Sequence, residues 1–432
     1  MGSVSEMDNN IPETAEVAVV RCDSYERDKV RSAVREAIGL LGGLDSLFGE
    51  EEAIKARGKD AEIVLKPNLL SKATPEKAVS THPEVFRAVG ELLQEEGYGN
   101  LVYGDSPGSP VPGMEKTAEG CGIKAVADEL GIRPGDFEHG TDVTFPDGKA
   151  ASRFVLCNEI AKVTGADGGE PEGLIINLCK MKTHQLVRVT GAVKNTFGCV
   201  CGVNKAMSHA RYQSPQHFAR MLADLNTLVR PSLHIMDGIV AMEGNGPGSG
   251  DPFPMNAILV STDPVALDAV FCALICLDPQ LVATNTACAD AGVGIWDDER
   301  IEILLGGVPM QKEGAVITLD ELAIKYASKD FNVQRSREFR GSMSLMGLVE
   351  RFMNKRPVVI ANRCVGCGIC EKTCPLEDKA VIVREDSTGN RVAAYNYSKC
   401  IKCYCCQEMC PERAIAVKKS LLAKIVDRRW KV

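Results

Sequence analysis

The run CVGCGICEKTCP occupies Cys364–Pro375, and CIKCYCCQEMCP follows at Cys400–Pro411. Each contains the spacing C-x2-C-x2-C-x3-C-P, through Cys364, Cys367, Cys370 and Cys374 in the first and Cys400, Cys403, Cys406 and Cys410 in the second. Three thiolates set two residues apart on a tight loop can face one polynuclear metal centre, while the fourth, on the following turn, points elsewhere. Gly366 and Gly368 let the first loop wrap closely, with amide N–H groups aimed at sulfur. Zinc sites and disulfides also use cysteine, but zinc sites rarely need four cysteines twice in this cadence. The second run is bulkier, with Ile401, Lys402, Tyr404 and Cys405 in place of glycines, and Cys405 is surplus to the spacing. Cys405 reads either as an alternative ligand or as a small packed thiol. The unlike loops lead us to expect unlike reduction potentials at the two centres.

These runs divide the chain. Of 18 cysteines, nine fall in residues 1–357 and nine in residues 358–432. Charge divides at the same place. Residues 358–418 carry a net +2, residues 419–432 a net +4, and the remaining 357 residues a net −14, within a total of −8. No global basic signal points to nucleic acid. A chain of 432 residues exceeds one core of ordinary size, so two or more domains are expected. Hydrophobic residues at 45% and charged residues at 25% exclude a disordered or fibrous chain.

Residues 1–15 are polar and acidic and read as a disordered N-terminus without a secretory signal. No window of 18 consecutive apolar residues is present, so no transmembrane segment is expected. Many cysteines without a signal peptide fit a reducing cytoplasm and metal binding better than a disulfide framework.

Residues 16–334 alternate short apolar runs with helical patterns. Val17–Cys22, Glu62–Leu65, Leu101–Tyr103, Gly173–Leu178, Ser232–Met236 and Ala257–Val260 read as strands. Tyr25–Leu44, Pro83–Glu96, Lys116–Leu130 and Pro264–Cys276 read as helices, and Phe145–Val163 as an inserted hairpin. This alternation predicts an α/β domain with a mostly parallel, doubly wound sheet. Residues 335–357 read as a connecting helix, 358–418 as the small cysteine module, and 419–432 as a basic amphipathic tail. The tail suits a docked C-terminal helix better than a membrane contact.

In doubly wound sheets, ligands sit beyond the carboxyl ends of the strands. The predicted strands end in Lys66 and Asn68; in Asp105 and Ser106; in Lys180, Lys182 and His184, then Lys194 and Asn195; in Asp237 and the loop Gly244–Gly250; and in Asp263, with Asp268 a turn later. That placement predicts a shared cleft. The lysines and glycine loops favour an anionic group such as a carboxylate or phosphate, and His184 or His82 would be the proton donor. We take Lys182, His184 and Lys194 as candidate catalytic residues. Lys66, Asn68, Asp105, Ser106, Asn195 and Gly246 are candidate binding residues of the cleft. The loop Gly244–Gly250 lacks the context of a nucleotide motif and reads equally as a mobile lid. Cys199 and Cys201 read as apolar filler, or as a metal or redox pair near the cleft.

The paired runs resemble the two-cluster bacterial ferredoxin module over about 60 residues. By that resemblance, Cys364, Cys367, Cys370 and Cys410 hold one [4Fe–4S] cluster, and Cys400, Cys403, Cys406 and Cys374 hold the other. It also implies a small α+β fold, with a hairpin formed by Ala380–Arg384 and Arg391–Tyr397. The KPNL, THP, GDSPG, KMKTH, VKN-FG and GNGP segments of the larger domain resemble the uncharacterised iron–sulfur family catalogued as domain of unknown function 362. That resemblance implies the architecture, with an appended ferredoxin module, and no established reaction.

The leading expectation is a cytoplasmic iron–sulfur oxidoreductase. It would pass electrons through two [4Fe–4S] clusters to an anionic substrate or cofactor in the α/β domain, with a redox protein as partner. The alternatives are a non-catalytic electron carrier or adaptor that docks a redox partner, and an iron–sulfur sensor or assembly factor.

Overall fold

The computed structural model describes residues 13–108, 113–307, 315–336, 355–387 and 389–418. Most of the expected connecting helix 335–357, and the whole tail 419–432, lie outside the described residues. So do most of residues 1–15.

The strands are β1 (Ala15–Arg21), β2 (Glu62–Pro67), β3 (Leu101–Tyr103), β4 (Arg133–Pro134), β5 (Gly140–Thr144), β6 (Arg153–Cys157), β7 (Gly173–His184), β8 (Arg188–Thr190), β9 (Leu233–Glu243), β10 (Asp251–Ser261), β11 (Ile301–Gly306) and β12 (Ala315–Ile317). The cysteine module adds β13 (Arg356–Val359), β14 (Val381–Glu385), β15 (Arg391–Tyr395) and β16 (Ile415–Lys418). One large sheet has the order β12-β11-β1-β10-β9-β7-β2-β3-β4, with β8 paired to β7. Strands β1, β2, β3, β4, β7, β9 and β11 run the same way, and β8, β10 and β12 run against them. The domain is therefore α/β, with a mostly parallel mixed sheet.

Both faces of the sheet are covered. Ala18 and Val20 of β1 enter one hydrophobic core, and Val17 and Val19 enter another. Alternating side chains of one strand thus serve two cores, which explains the continuous apolar runs of the central strands. The first core takes in the helices Arg27–Leu40, Pro83–Glu95 and Pro215–Val229, and the second takes in Pro264–Leu274. Helix starts follow local chemistry. Asp263 accepts from the amides of Val265 and Ala266 ahead of Pro264, and Ser214 caps the helix that begins at Pro215.

Four details depart from the sequence reading. β10 is antiparallel to both neighbours, because the connection from Glu243 to Asp251 is a hairpin loop too short for a crossover. Asp263 therefore leaves the sheet at the opposite edge from the other strand ends, and Asp268 accepts from the amides of Ala192 and Val193. The expected helix Lys116–Leu130 is two helices, Met114–Gly120 and Ile123–Leu130, broken where Gly122 takes φ +83°. The inserted hairpin is β5–β6, and residues Asn158–Thr164 are helical.

In the cysteine module, β14 and β15 form the expected hairpin, and β13 pairs with β16. The module is docked on the large domain. Tyr404 joins the large core, and its hydroxyl donates to the Lys355 carbonyl at 3.0 Å.

Candidate active site

The direction in which the chain fills the sheet reverses between the parallel strands β2 and β7. The chain passes from β2 to β3 on one side and from β7 to β9 on the other, so the gap between the carboxyl ends of β2 and β7 is a topological switch point. A cavity of about 600 Å3 opens there. Asn68, Asp105, Ser106, Lys182, His184, Lys194 and Asn195 all line it. Lys66 and Gly246 do not line it, although Pro247 and Gly248 do.

The polar groups form a connected scaffold. Lys66 Nζ donates to Asp105 Oδ1 at 2.8 Å beneath the floor, and both side chains are buried. Asp105 Oδ2 accepts from the Leu69 amide at 2.7 Å. Gly198 is required beside this pair, since a Cβ there would fall 1.7 Å from Asp105 Oδ1. Lys182 Nζ donates to Asn68 Oδ1 and to the Val79 carbonyl, each at 2.7 Å. Asn68 in turn donates to Asn195 at 2.8 Å, and Asn195 donates to Asn177 at 2.7 Å. This amide chain fixes which way each carboxamide faces.

Lys194 differs from its neighbours. Among the described residues, no oxygen accepts a hydrogen bond from its ammonium, which lies 4.9 Å from the ring centroid of Phe197 and 5.6 Å from that of Phe218. Burial lowers its pKa. Burial also brings Lys182 down to about 7, with the charge of Lys194 adding to the effect, and brings Lys205 to about 8. Partly desolvated ammonium groups lining one cavity favour an anion, which supplies counter-charge.

The sequence reading missed Lys205, His209 and the roof. Lys205 and His209 lie four residues apart on one face of the helix Asn204–Arg211, and both line the cavity. Lys205 Nζ donates to the carbonyls of Ser106 and Pro107. Their i, i+4 spacing after the VKN-FG segment was the available signal. The roof comes from the cysteine module, through Cys405, Glu408, Met409, Cys410 and Arg413. His184 Nδ1 accepts from the amides of Leu186 and Val187, which leaves the proton of the neutral ring on Nε2, 3.0 Å from Glu408 Oε1. Burial raises the Glu408 pKa, but His184, His209 and Lys194 outweigh it and bring the carboxyl to about 2. Gln407 Nε2 donates to the Asn245 carbonyl at 2.8 Å, and Asn245 Nδ2 donates to the Ile415 carbonyl at 3.2 Å. The loop Gly244–Gly250 is thus the β9–β10 turn, held against the module.

Other candidates lie elsewhere. Lys180 Nζ donates to Asp237 Oδ2 at 2.7 Å and to Tyr25 Oη at 2.9 Å, in a buried network that does not reach the cavity. His82 caps the helix Pro83–Glu95 and stacks on Tyr25 at 3.5 Å.

In the module, Cys364, Cys367, Cys370 and Cys410 line one small hollow. The amides of Ala393 and Ala414 donate to the sulfurs of Cys364 and Cys410 at 3.4 and 3.3 Å. Cys374, Cys400, Cys403 and Cys406 form a second group of mutual neighbours, where Tyr395 Oη donates to Cys406 Sγ at 3.0 Å. Gly366 and Gly368 have φ of +65° and +80°, and Lys402 and Tyr404 adopt +59° and +66° at the matching positions of the second run. The two loops share one backbone shape although only the first has glycines to favour it. Amide and hydroxyl donors aimed at grouped thiolates are what an iron–sulfur cubane requires, so the residues present suit that group. Cys405, surplus to the spacing, lies against Cys403 of the second group. It is buried and faces the cavity.

An α/β domain whose switch-point cavity is roofed by a paired-cysteine module defines the class as an iron–sulfur protein with electron-transfer capacity. A family model for a 4Fe-4S dicluster domain matches residues 357–414, and one described as Domain of unknown function (DUF362) matches residues 63–273. The Thylakoid-associated protein sll1697 of Synechocystis sp. is 34% identical over 272 residues, which are 63% of this chain and 78% of that protein. The chain belongs to the family of domain of unknown function 362. Among solved structures, the lactate racemase apoprotein from Thermoanaerobacterium thermosaccharolyticum aligns with a TM-score of 0.34 and 12% identity, over 60% of this chain and 56% of that one. No helix among the described residues is long and apolar enough to cross a membrane.

Proposed function

We propose that the protein is an iron–sulfur oxidoreductase whose substrate or cofactor is an anion held in the cavity between the two domains. One observation carries this reading. The cavity at the switch point is closed by the cysteine module itself, and Cys410 of the second run is part of its wall. A bound molecule would lie beside the electron-transfer module without crossing bulk water.

Cys364, Cys367, Cys370 and Cys410 would hold one [4Fe–4S] cluster, and Cys374, Cys400, Cys403 and Cys406 the other. Such clusters would supply or accept single electrons. The chain's own residues do the rest. Lys194, supported by Lys182 and Lys205, neutralises the anion. Asn68, Asn195 and Ser106 orient it. His184 keeps a proton on Nε2 at the cavity wall, where Glu408 fixes the ring. The cluster thiolates require a reducing compartment, which supports a cytoplasmic setting.

The experiment is anaerobic purification followed by mass spectrometry of small molecules retained by the wild type and by Lys194→Met, with iron content measured in both. The expected result is an anion retained by the wild type and lost from the variant at equal iron content. Equal retention, or none in the wild type, would refute the reading.

The second reading is a carrier that docks a redox partner. It is favoured by the first cysteine loop, where Cys367 is exposed and Val365 keeps 64% of its surface in solvent. A carrier would keep its electron-transfer rate in Lys194→Met.

A further inference from the structure

Two cysteines outside the module are paired. Cys157 ends β6, and residues 199–201 run beside that strand, with a bridge between Leu156 and Val200 and a hydrogen bond from the Cys201 amide to the Val155 carbonyl at 2.9 Å. The thiols of Cys157 and Cys201 turn to the same side. Cys157 Sγ donates to the Phe137 carbonyl at 3.6 Å, Cys201 Sγ donates to the adjacent Glu138 carbonyl at 3.3 Å, and the two side chains are neighbours. The surroundings are polar for a packed thiol. Lys205, Asp136 and His139 act on Cys201, and Lys205 also acts on Cys157. Gly140 leaves room, since a Cβ there would fall 2.9 Å from Cys201 Cβ.

We propose that Cys157 and Cys201 are a redox-active dithiol that a peroxide converts to a disulfide. The roles follow from the environment. The neighbouring Cys157 thiol and the charge of Lys205 favour the thiolate at Cys201, which is brought to about 7, while burial raises Cys157. The Cys201 sulfur attacks one peroxide oxygen and breaks the O–O bond, giving a sulfenic acid and one water. The Cys157 sulfur then displaces the sulfenic oxygen as a second water, and the S–S bond forms. The two thiol protons end in the two waters, and the peroxide takes both electrons.

The pair sits directly behind the cavity wall. Cys201 precedes Gly202, whose amide donates to Ser106 Oγ at 3.0 Å, and Gly202, Lys205 and Ser106 all line the cavity. A disulfide would pin this segment to β6 and stiffen one wall of the binding site. The proposal stands whether or not the cavity holds a redox substrate.

The test uses the full chain with its iron retained. Protein is treated anaerobically with one equivalent of hydrogen peroxide, denatured in N-ethylmaleimide, digested without reduction, and mapped by mass spectrometry. The expected product joins the peptides that contain Cys157 and Cys201. It should persist in Cys199→Ser, disappear in Cys201→Ser, and revert with dithiothreitol. Absence of the cross-link in the wild type, or its loss in Cys199→Ser with retention in Cys201→Ser, would overturn the proposal. The wild-type result is read without any variant, so a misfolded substitution does not obscure it.

Discussion

His184 Nε2 of the large domain lies 3.0 Å from Glu408 Oε1 of the cysteine module, and both side chains are almost fully removed from solvent. The contact joins the end of β7 to the short helix Cys405–Glu408 between two cysteines of the second run. It makes the position of the module and the orientation of the imidazole one structural fact.

Replacing Glu408 tests that coupling. Glu408→Ala removes the carboxylate that lies 3.0 Å from His184 Nε2 in a buried place, at a cost of about 1–3 kcal/mol. Glu408→Gln keeps an oxygen there and should cost less. Thermal unfolding at matched iron content reads the difference. Equal midpoints for the two variants and the wild type would mean that the contact does not hold the module.

The cavity should bind anions better at lower pH. Burial, helped by Lys194, places Lys182 at about 7, below its ordinary value of 10.5. The ammonium is therefore present below about pH 7 and lost above it. Sulfate keeps its charge across this range, so its affinity should fall by about tenfold between about pH 6 and about pH 9. In Lys182→Met the fall should flatten. Calorimetric titration with sulfate is the measurement, and an unchanged profile in the variant would assign the dependence to another group.

Gly198→Ala should damage the floor. The added methyl collides with Asp105 Oδ1 and comes within 2.9 Å of Lys66 Nζ, so the buried Lys66–Asp105 pair must open. The expected loss is about 3 kcal/mol or more, seen as a lowered denaturation midpoint. Gly39, which has open space around its Cβ position, is the control. Comparable effects from Gly39→Ala would show that the damage is not specific to the pair.

The two cysteine groups, each filled by a cluster as proposed, should differ in reduction potential. Cys367 of the first loop is exposed, whereas Cys403 and Cys406 of the second are buried. Solvent exposure and hydrogen bonds to sulfur set such potentials. Redox titration followed by electron paramagnetic resonance should resolve two transitions. A single transition that accounts for both centres would refute this expectation.

The legible parts of this protein were local ones. Spacings of two and three residues marked each run of cysteines, because a few peptide units leave little freedom in where successive thiols lie, while their division into two groups came from the resemblance to the ferredoxin module. The apolar runs of β1, β2, β7 and β9 were readable because parallel strands buried on both faces need them. The direction of β10 was also written in the short loop before it, but the apolar run Ala257–Val260 looks the same in either direction, so Asp263 was placed at the wrong edge. Lys180 and Lys182 show how far residue type alone reaches. They are two apart on β7, yet one is neutralised by Asp237 and the other faces the cavity.

By itself, then, the sequence determined an α/β domain, an iron–sulfur module and the strand ends from which a site could be built. Folding in three dimensions sets the module as a roof over that site, brings Glu408 to His184, and adds Lys205 and His209 to the wall. Range accounts for the division. Ligand spacing and strand pattern are set by short stretches of backbone, whereas the docking of Tyr404 into the large core depends on the shapes of surfaces assembled from distant segments.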